Sequence, residues 1–144
     1  MRTIKKKLPL LLSLFVMLFL AAGSNFKNIS AHTIPDFSGN WDIMFYDASG
    51  KMEGKKTVAI NERGSFSDKV ILNINNVIYN TEISATLSKQ GKVQDGVLTD
   101  TDKLEMTGVL TGNFSTDAGQ GEWKNYYGSS GTWKAVRSEN KKNR

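Results

Sequence analysis

The sequence predicts an all-β domain over residues 36–138, an eight-stranded antiparallel up-and-down barrel, with a two-sheet β-sandwich as the alternative. Apolar and polar residues alternate in short runs, which is the period of a strand with one buried face. Stretches rich in Gly, Asn and Asp separate these runs, and no amphipathic helix pattern follows the N-terminal segment. Consecutive antiparallel strands must close or stack, because open edges invite aggregation.

The predicted strands follow one another through short connections. Their predicted limits are 40–46, 57–61, 65–74, 77–88, 93–99 and 103–114, followed by the two arms of a hairpin. Asn75-Asn76 can adopt left-handed backbone conformations and predicts a two-residue turn. In the strand at 103–114, Leu104, Met106 and Leu110 share one alternation phase, so we expect them to face the interior.

The predicted hairpin covers Gly121 to Arg137. Its turn is expected at Gly128-Ser129-Ser130-Gly131, because glycine adopts positive φ angles easily. Each arm opens with the phrase Gly-x-Trp, and the phrase occurs once more at Gly39-Asn40-Trp41. These three phrases contain all three Trp residues of the chain.

The N-terminal segment predicts export. Basic residues precede an apolar run, Leu8 to Ala22, that is shorter than the roughly 20 residues a spanning helix needs. We predict a cleaved signal peptide at 1–23, with an alternative cut after Ala31, a flexible lead-in at 24–35 and a basic tail at 139–144. The absence of Cys excludes a lipobox anchor and favours a bacterial periplasmic or extracellular protein with no membrane span after cleavage.

Composition argues against several classes of function. Four of the 19 cationic residues lie in the leader, so the charge of +5 implies no basic face for nucleic acid. His32 is the only His, which leaves no His- or Cys-based metal centre and no supported catalytic triad. Asp95, Asp100 and Asp102 lack the spacing of a calcium-binding loop. We therefore predict no enzymatic activity, no metal and no cofactor.

The aromatic residues allow two interpretations. They can simply fill the narrow interior of an eight-stranded barrel. Alternatively they wall a ligand pocket at the open mouth, for which the candidate residues are Trp123, Trp133, Phe45, Asn125 and Tyr127. The leading functional prediction is an exported protein that holds a small apolar or amphiphilic molecule in its barrel. The alternative is an exported protein-binding module, such as an inhibitor of a protease or lysozyme, and a third possibility is a purely structural component of the cell envelope.

The ends of the predicted barrel resemble the lipocalin and calycin family. Gly39 and Trp41 stand at the head of the first strand, and Arg137 stands at the end of the last. In that family the first-strand Trp packs across the closed end of the barrel and the Arg lies over it. The resemblance implies a cation–π contact between Trp41 and Arg137 and a structural role for all three residues.

A more local likeness concerns the hairpin. Trp123 to Tyr127, followed by Thr132-Trp133, is similar to the penultimate hairpin of the avidin and streptavidin family, in which Trp residues wall the biotin pocket. The Asn and Ser ligands that this family has after its first Trp are replaced here by Asp42, Ile43 and Met44. The likeness therefore supports a barrel architecture and not biotin binding.

Overall fold

The computed structural model describes residues 35–138, which form an all-β domain. Its eight strands are β1 (Gly39–Asp47), β2 (Met52–Ile60), β3 (Ser65–Ile74), β4 (Val77–Leu87), β5 (Val93–Asp100), β6 (Glu105–Phe114), β7 (Ala118–Asn125) and β8 (Ser130–Arg137). The predicted signal peptide at 1–23, the lead-in up to residue 34 and the tail from residue 139 lie outside the described residues.

The strands form one nearly closed, barrel-shaped sheet. Their order is β2-β1-β8-β7-β6-β5-β4-β3, and each strand is antiparallel to its hydrogen-bonded neighbours. The first strand pairs with the last, with Trp41 opposite Arg137 and Phe45 opposite Trp133. The predicted up-and-down barrel is confirmed, and the alternative of two separate sheets is not formed.

The barrel has a seam without a backbone ladder between β2 and β3. These strands end the order of the sheet, although a short turn joins them. At Gly54 of β2, an added Cβ would lie only 2.6 Å from the carbonyl oxygen of Ile71 in β3, so the backbones still touch. Lys56 and Asp68, each in phase with the buried residues of its strand, form an ion pair of 3.2 Å across the seam. Inward-facing charges on edge strands discourage pairing with other chains.

Trp41 and Arg137 close the end of the barrel where β1 begins and β8 ends. The guanidinium carbon lies 4.8 Å from the centre of the Trp41 ring, and the indole is fully buried. The guanidinium also donates hydrogen bonds to the carbonyl oxygens of Thr116 and Ser38, both at 2.7 Å, and of Asp36. The expected contact between Trp41 and Arg137 is present, and we call this end the closed end.

Aromatic side chains fill the interior. Trp41, Trp123, Trp133 and Phe45 are at most 1% exposed. Phe114 packs edge-on against Trp41 with ring centres 5.0 Å apart, and its ring centre lies 5.2 Å from that of Trp133. Full burial of one large apolar side chain contributes roughly 1.5–3 kcal/mol to stability, so this cluster stabilises the domain by several times that amount.

Several predicted limits differ from the structure. β2 begins at Met52 and not at residue 57, because its charged residues hide the alternation. The β7–β8 turn is Tyr126–Ser129, so Gly131 lies within β8, opposite Trp123. β6 begins at Glu105, two residues later than predicted.

Candidate binding surface at the open end

Four turns meet at the end of the barrel opposite the closed end, and we call this the open end. They are the β1–β2 turn (48–51), the β3–β4 turn (75–76), the β5–β6 turn (101–104) and the β7–β8 turn (126–129). All four hairpins expose apolar or aromatic side chains here, which together form the open-end rim: Met52, Val77, Ile78, Leu104, Met106, Tyr126 and Tyr127. The rim contains seven of the nine large hydrophobic residues that are exposed within residues 35–138.

Leu104 is the most exposed member of the rim, at 83%, and its φ of 57° is rare for a non-glycine residue. The β5–β6 register shifts by one residue beside Thr107, and such a bulge reverses the alternation of faces. Thr107 is therefore buried and donates a hydrogen bond to the Leu98 carbonyl at 3.3 Å, whereas Met106 is 49% exposed. The prediction that Leu104 and Met106 face the interior is therefore wrong. Met106 precedes the bulge, and Leu104 lies in the β5–β6 turn and not in a strand.

Contacts between neighbouring hairpins support the rim. The side-chain amide of Asn80 in β4 donates to Asp102 in the β5–β6 turn at 3.0 Å. The Lys103 ammonium lies 6.0 Å from the centre of the Tyr127 ring, which joins the β5–β6 and β7–β8 turns. Both contacts link neighbouring hairpins of the open end.

A cavity inside the rim brings together three of the five predicted ligand residues. Trp123, Asn125 and Tyr127 line it with six other residues, but its volume is only about 20 Å³. Such a volume holds about one water molecule. Sites for small molecules usually have roughly 300–1,000 Å³. The mouth of the barrel is therefore filled by side chains in this conformation.

The other two predicted ligand residues, Trp133 and Phe45, are fully buried and do not line this cavity. The Trp133 indole N–H donates to the Thr111 carbonyl at 2.8 Å. Trp123 makes the equivalent bond to the Tyr46 carbonyl, also at 2.8 Å. The N–H groups of both indoles are thus already bonded to backbone carbonyls of the barrel.

Asn125 likewise has a role in the fold. Its Oδ1 accepts hydrogen bonds from the backbone N–H groups of Tyr127 at 3.1 Å and Ser129 at 2.8 Å. An Asn side chain commonly holds a turn in this way. Tyr127 itself is 58% exposed, so it is the most exposed of the five predicted residues.

Carboxylates surround the rim. They lie in the segments 47–53 and 100–105 and are Asp47, Glu53, Asp100, Asp102 and Glu105. In the first segment, the Ser49 hydroxyl donates to Asp47 at 2.7 Å, and backbone N–H groups donate to the same oxygen. These bonds favour the ionised form, so they hold the pKa of Asp47 below its ordinary value.

Glu53 differs from the other carboxylates because it is buried. Its side chain is 2% exposed, its Oε1 lies 3.9 Å from the Lys51 ammonium, and its Oε2 has no hydrogen-bond partner among the described residues. The β1–β2 register shifts beside Glu53, so Tyr46 pairs with Met52 and the carboxylate leaves the solvent-facing side of β2. A buried oxygen without a donor is unfavourable in isolation. No sequence pattern indicated this residue.

Within residues 35–138, no group of three or more His, Cys, Asp and Glu side chains is placed to hold a metal ion. Asp100, considered above for calcium, instead accepts the backbone N–H groups of Asp102 at 2.9 Å and Lys103 at 3.1 Å. In the same part of the chain, no helix has the length and apolar character needed to cross a membrane.

The fold and the rim define a class of protein: a nearly closed, filled eight-stranded barrel with an apolar surface at one end. Comparisons with protein-family models, curated proteins and solved structures find no match to this chain. Its function is therefore inferred from the rim and the interior.

Proposed function

We propose that this protein is an exported, non-enzymatic binding module that recognises a protein partner through the open-end rim. The concentration of exposed apolar side chains at one end carries the proposal. All four hairpins of the open end contribute to it, whereas Val136 is the one comparable residue near the closed end among those described. Exposed apolar patches mark interaction surfaces, and Tyr and Met are enriched in protein–protein interfaces.

The filled interior supports a surface as the binding site. The cavity at the mouth has about 20 Å³, and the Trp residues beneath it are buried and hydrogen-bonded. Affinity would come from burying the rim against a partner, at about 25 cal/mol per Å² of apolar area before the costs of association.

We also propose that the protein is exported and that its barrel is related to those of the lipocalin and calycin family. The predicted signal peptide supports export to the periplasm or the extracellular space. The stacking of Arg137 on Trp41, with β8 pairing with β1, supports a lipocalin- or calycin-like barrel. Neither feature depends on the identity of the partner.

Photo-crosslinking from the rim tests the proposed function. A photoreactive phenylalanine derivative at Leu104 is expected to capture a defined protein in cells of the source organism. The same group at Val136, which is 45% exposed near the closed end, is the matched control and is expected to capture none. Leu104→Ser should then weaken binding of the captured protein by about tenfold without lowering Tm. The same adducts from both positions, or none from Leu104, would contradict the proposal.

A small apolar or amphiphilic ligand is the second candidate function. It is favoured by the convergence of Trp123, Asn125 and Tyr127 on one cavity, and it requires Tyr127 to swing outward and enlarge the mouth. Native mass spectrometry of protein purified from its own source separates the two candidates. A retained small molecule supports this one, and a retained protein supports the binding module.

A further inference from the structure

We propose that the partner of the open-end rim presents Lys or Arg side chains beside its apolar ones. This inference rests on the proposed function, because it specifies the chemistry of the partner for the same surface. It follows from the charges around the rim and not from its apolar members.

The first observation is the charge balance of the open end. The segments 47–53 and 100–105 carry five carboxylates and two ammonium groups. Both ammonium groups already lie near a carboxylate, Lys51 at 3.9 Å from Glu53 and Lys103 at 3.8 Å from Asp100. The turns 75–76 and 126–129 carry no charged residue. Counted with the two strand residues on either side of each turn, and therefore with Lys124 of β7, the open end carries five carboxylates and three ammonium groups. This leaves a net negative charge around the apolar rim.

The second observation is the burial of Glu53 directly beside Met52 of the rim. Its Oε2 is screened from water and has no hydrogen-bond donor among the described residues. An opposite charge placed near a buried carboxyl favours its ionised form and offsets part of the cost of burial. A cationic partner would thus stabilise a carboxylate that the isolated domain leaves partly unsatisfied.

Several classes of partner could bind an apolar rim, and charge complementarity favours one of them. A basic and apolar protein segment is attracted and steered by the carboxylates. An anionic phospholipid surface is repelled by them, because its headgroups carry the same sign of charge. The closed-end turns, counted with the same two flanking residues on either side, show no such excess, since Arg63, Lys89 and Lys92 accompany Glu62 and Asp117 there.

Two designed peptides of equal length test this inference. One has an amphipathic pattern of Leu and Lys, and the other has the same pattern with Glu in place of Lys. Binding of each labelled peptide is measured by fluorescence anisotropy at low and at physiological salt. The Leu/Lys peptide should bind about tenfold more tightly than the Leu/Glu peptide, and the difference should shrink as salt rises.

Paired charge variants locate the effect. Asp102→Asn combined with Glu105→Gln removes two carboxylates from the open end, and both positions are exposed. Glu62→Gln combined with Asp117→Asn removes the same charge from exposed positions at the closed end. The first pair should weaken binding of the Leu/Lys peptide by about fivefold to tenfold, whereas the second pair should leave it unchanged.

The outcomes separate this inference from the proposed function. The inference fails if both peptides bind equally, if the two variant pairs behave alike, or if anionic phospholipid vesicles bind the protein in place of the Leu/Lys peptide. If Leu104→Ser weakens peptide binding while the charge variants do not, the rim stands as a binding surface and its partner is not cationic. If none of the variants changes binding, both proposals fall.

Discussion

The Gly-x-Trp phrases determine how individual side chains pack in the β7–β8 hairpin. Gly121 pairs with Trp133, and Gly131 pairs with Trp123. An added Cβ at Gly121 would lie 2.6 Å from Trp133 Nε1, and one at Gly131 would lie 2.8 Å from Trp123 Nε1. Each indole therefore lies over the glycine of the facing strand. Any residue other than glycine at that position would place its Cβ against the indole.

Gly121→Ala is expected to destabilise the domain by about 3 kcal/mol, because its Cβ would also lie 1.9 Å from the Thr111 carbonyl oxygen and must displace backbone. Gly128→Ala is the control. It has no atom within 4 Å and a φ of 94°, so it should cost about 1 kcal/mol through backbone strain alone. Urea unfolding gives both values. Equal losses would show that packing under Trp133 is not what requires Gly121.

The repeated phrase was visible in the sequence, but its reciprocal pairing was not. Pairing depends on register, and a shift of one residue would move every side chain to the opposite face. The predicted turn at residues 128–131 assigned Gly131 to a reversal, because glycine favours turns as well as close packing. The structure places that glycine in β8 to receive Trp123.

Individual strands were predictable where their alternation is unbroken. β3 has the predicted limits Ser65–Ile74, and the following Asn75 and Asn76 have φ values of 54° and 64°, as a tight turn of that type requires. β6 was not predictable to the same extent, because the bulge beside Thr107 leaves no mark in its pattern. That one irregularity moves Met106 from the expected core to the rim.

The seam between β2 and β3 should be the least protected part of the barrel. Each of these strands has a hydrogen-bonded neighbour on one side, whereas β7 and β8 have neighbours on both. Amide protection follows local stability, so hydrogen exchange followed by mass spectrometry should show faster exchange in β2 and β3 than in β7 and β8. Equal protection in all four strands would mean that a ladder closes the seam in solution.

Closure of the barrel creates both of its distinct ends. The sequence could predict the closed end because Trp41 and Arg137 stand at positions that resemble a known pattern for the first and last strands of a barrel. The rim could not be predicted in this way, because its members come from four separate hairpins and share no sequence spacing. These exposed residues form one surface only because the fold brings the four hairpins to the same end of the barrel.

Arg137 is expected to stabilise the whole barrel, because its hydrogen bonds connect the last strand to Ser38 and Asp36, which lie 99 and 101 residues earlier in the chain. Arg137→Met removes the hydrogen bonds to the carbonyls of Ser38, Asp36 and Thr116 together with the stacking on Trp41. The free energy of unfolding should fall by about 3 kcal/mol, seen as a lower urea midpoint with an unchanged slope.

Lys134→Met is the matched control for this loss. Lys134 lies on the same strand, is exposed, and its ammonium lies 5.9 Å from the centre of the Tyr46 ring, a weak contact at the surface. Its replacement should change stability by no more than about 0.5 kcal/mol, as is usual for surface substitutions. If the two variants unfold at the same urea concentration, Arg137 does not hold the closed end together. The proposed lipocalin-like relationship then loses its main structural support, whereas the rim at the other end of the barrel is unaffected.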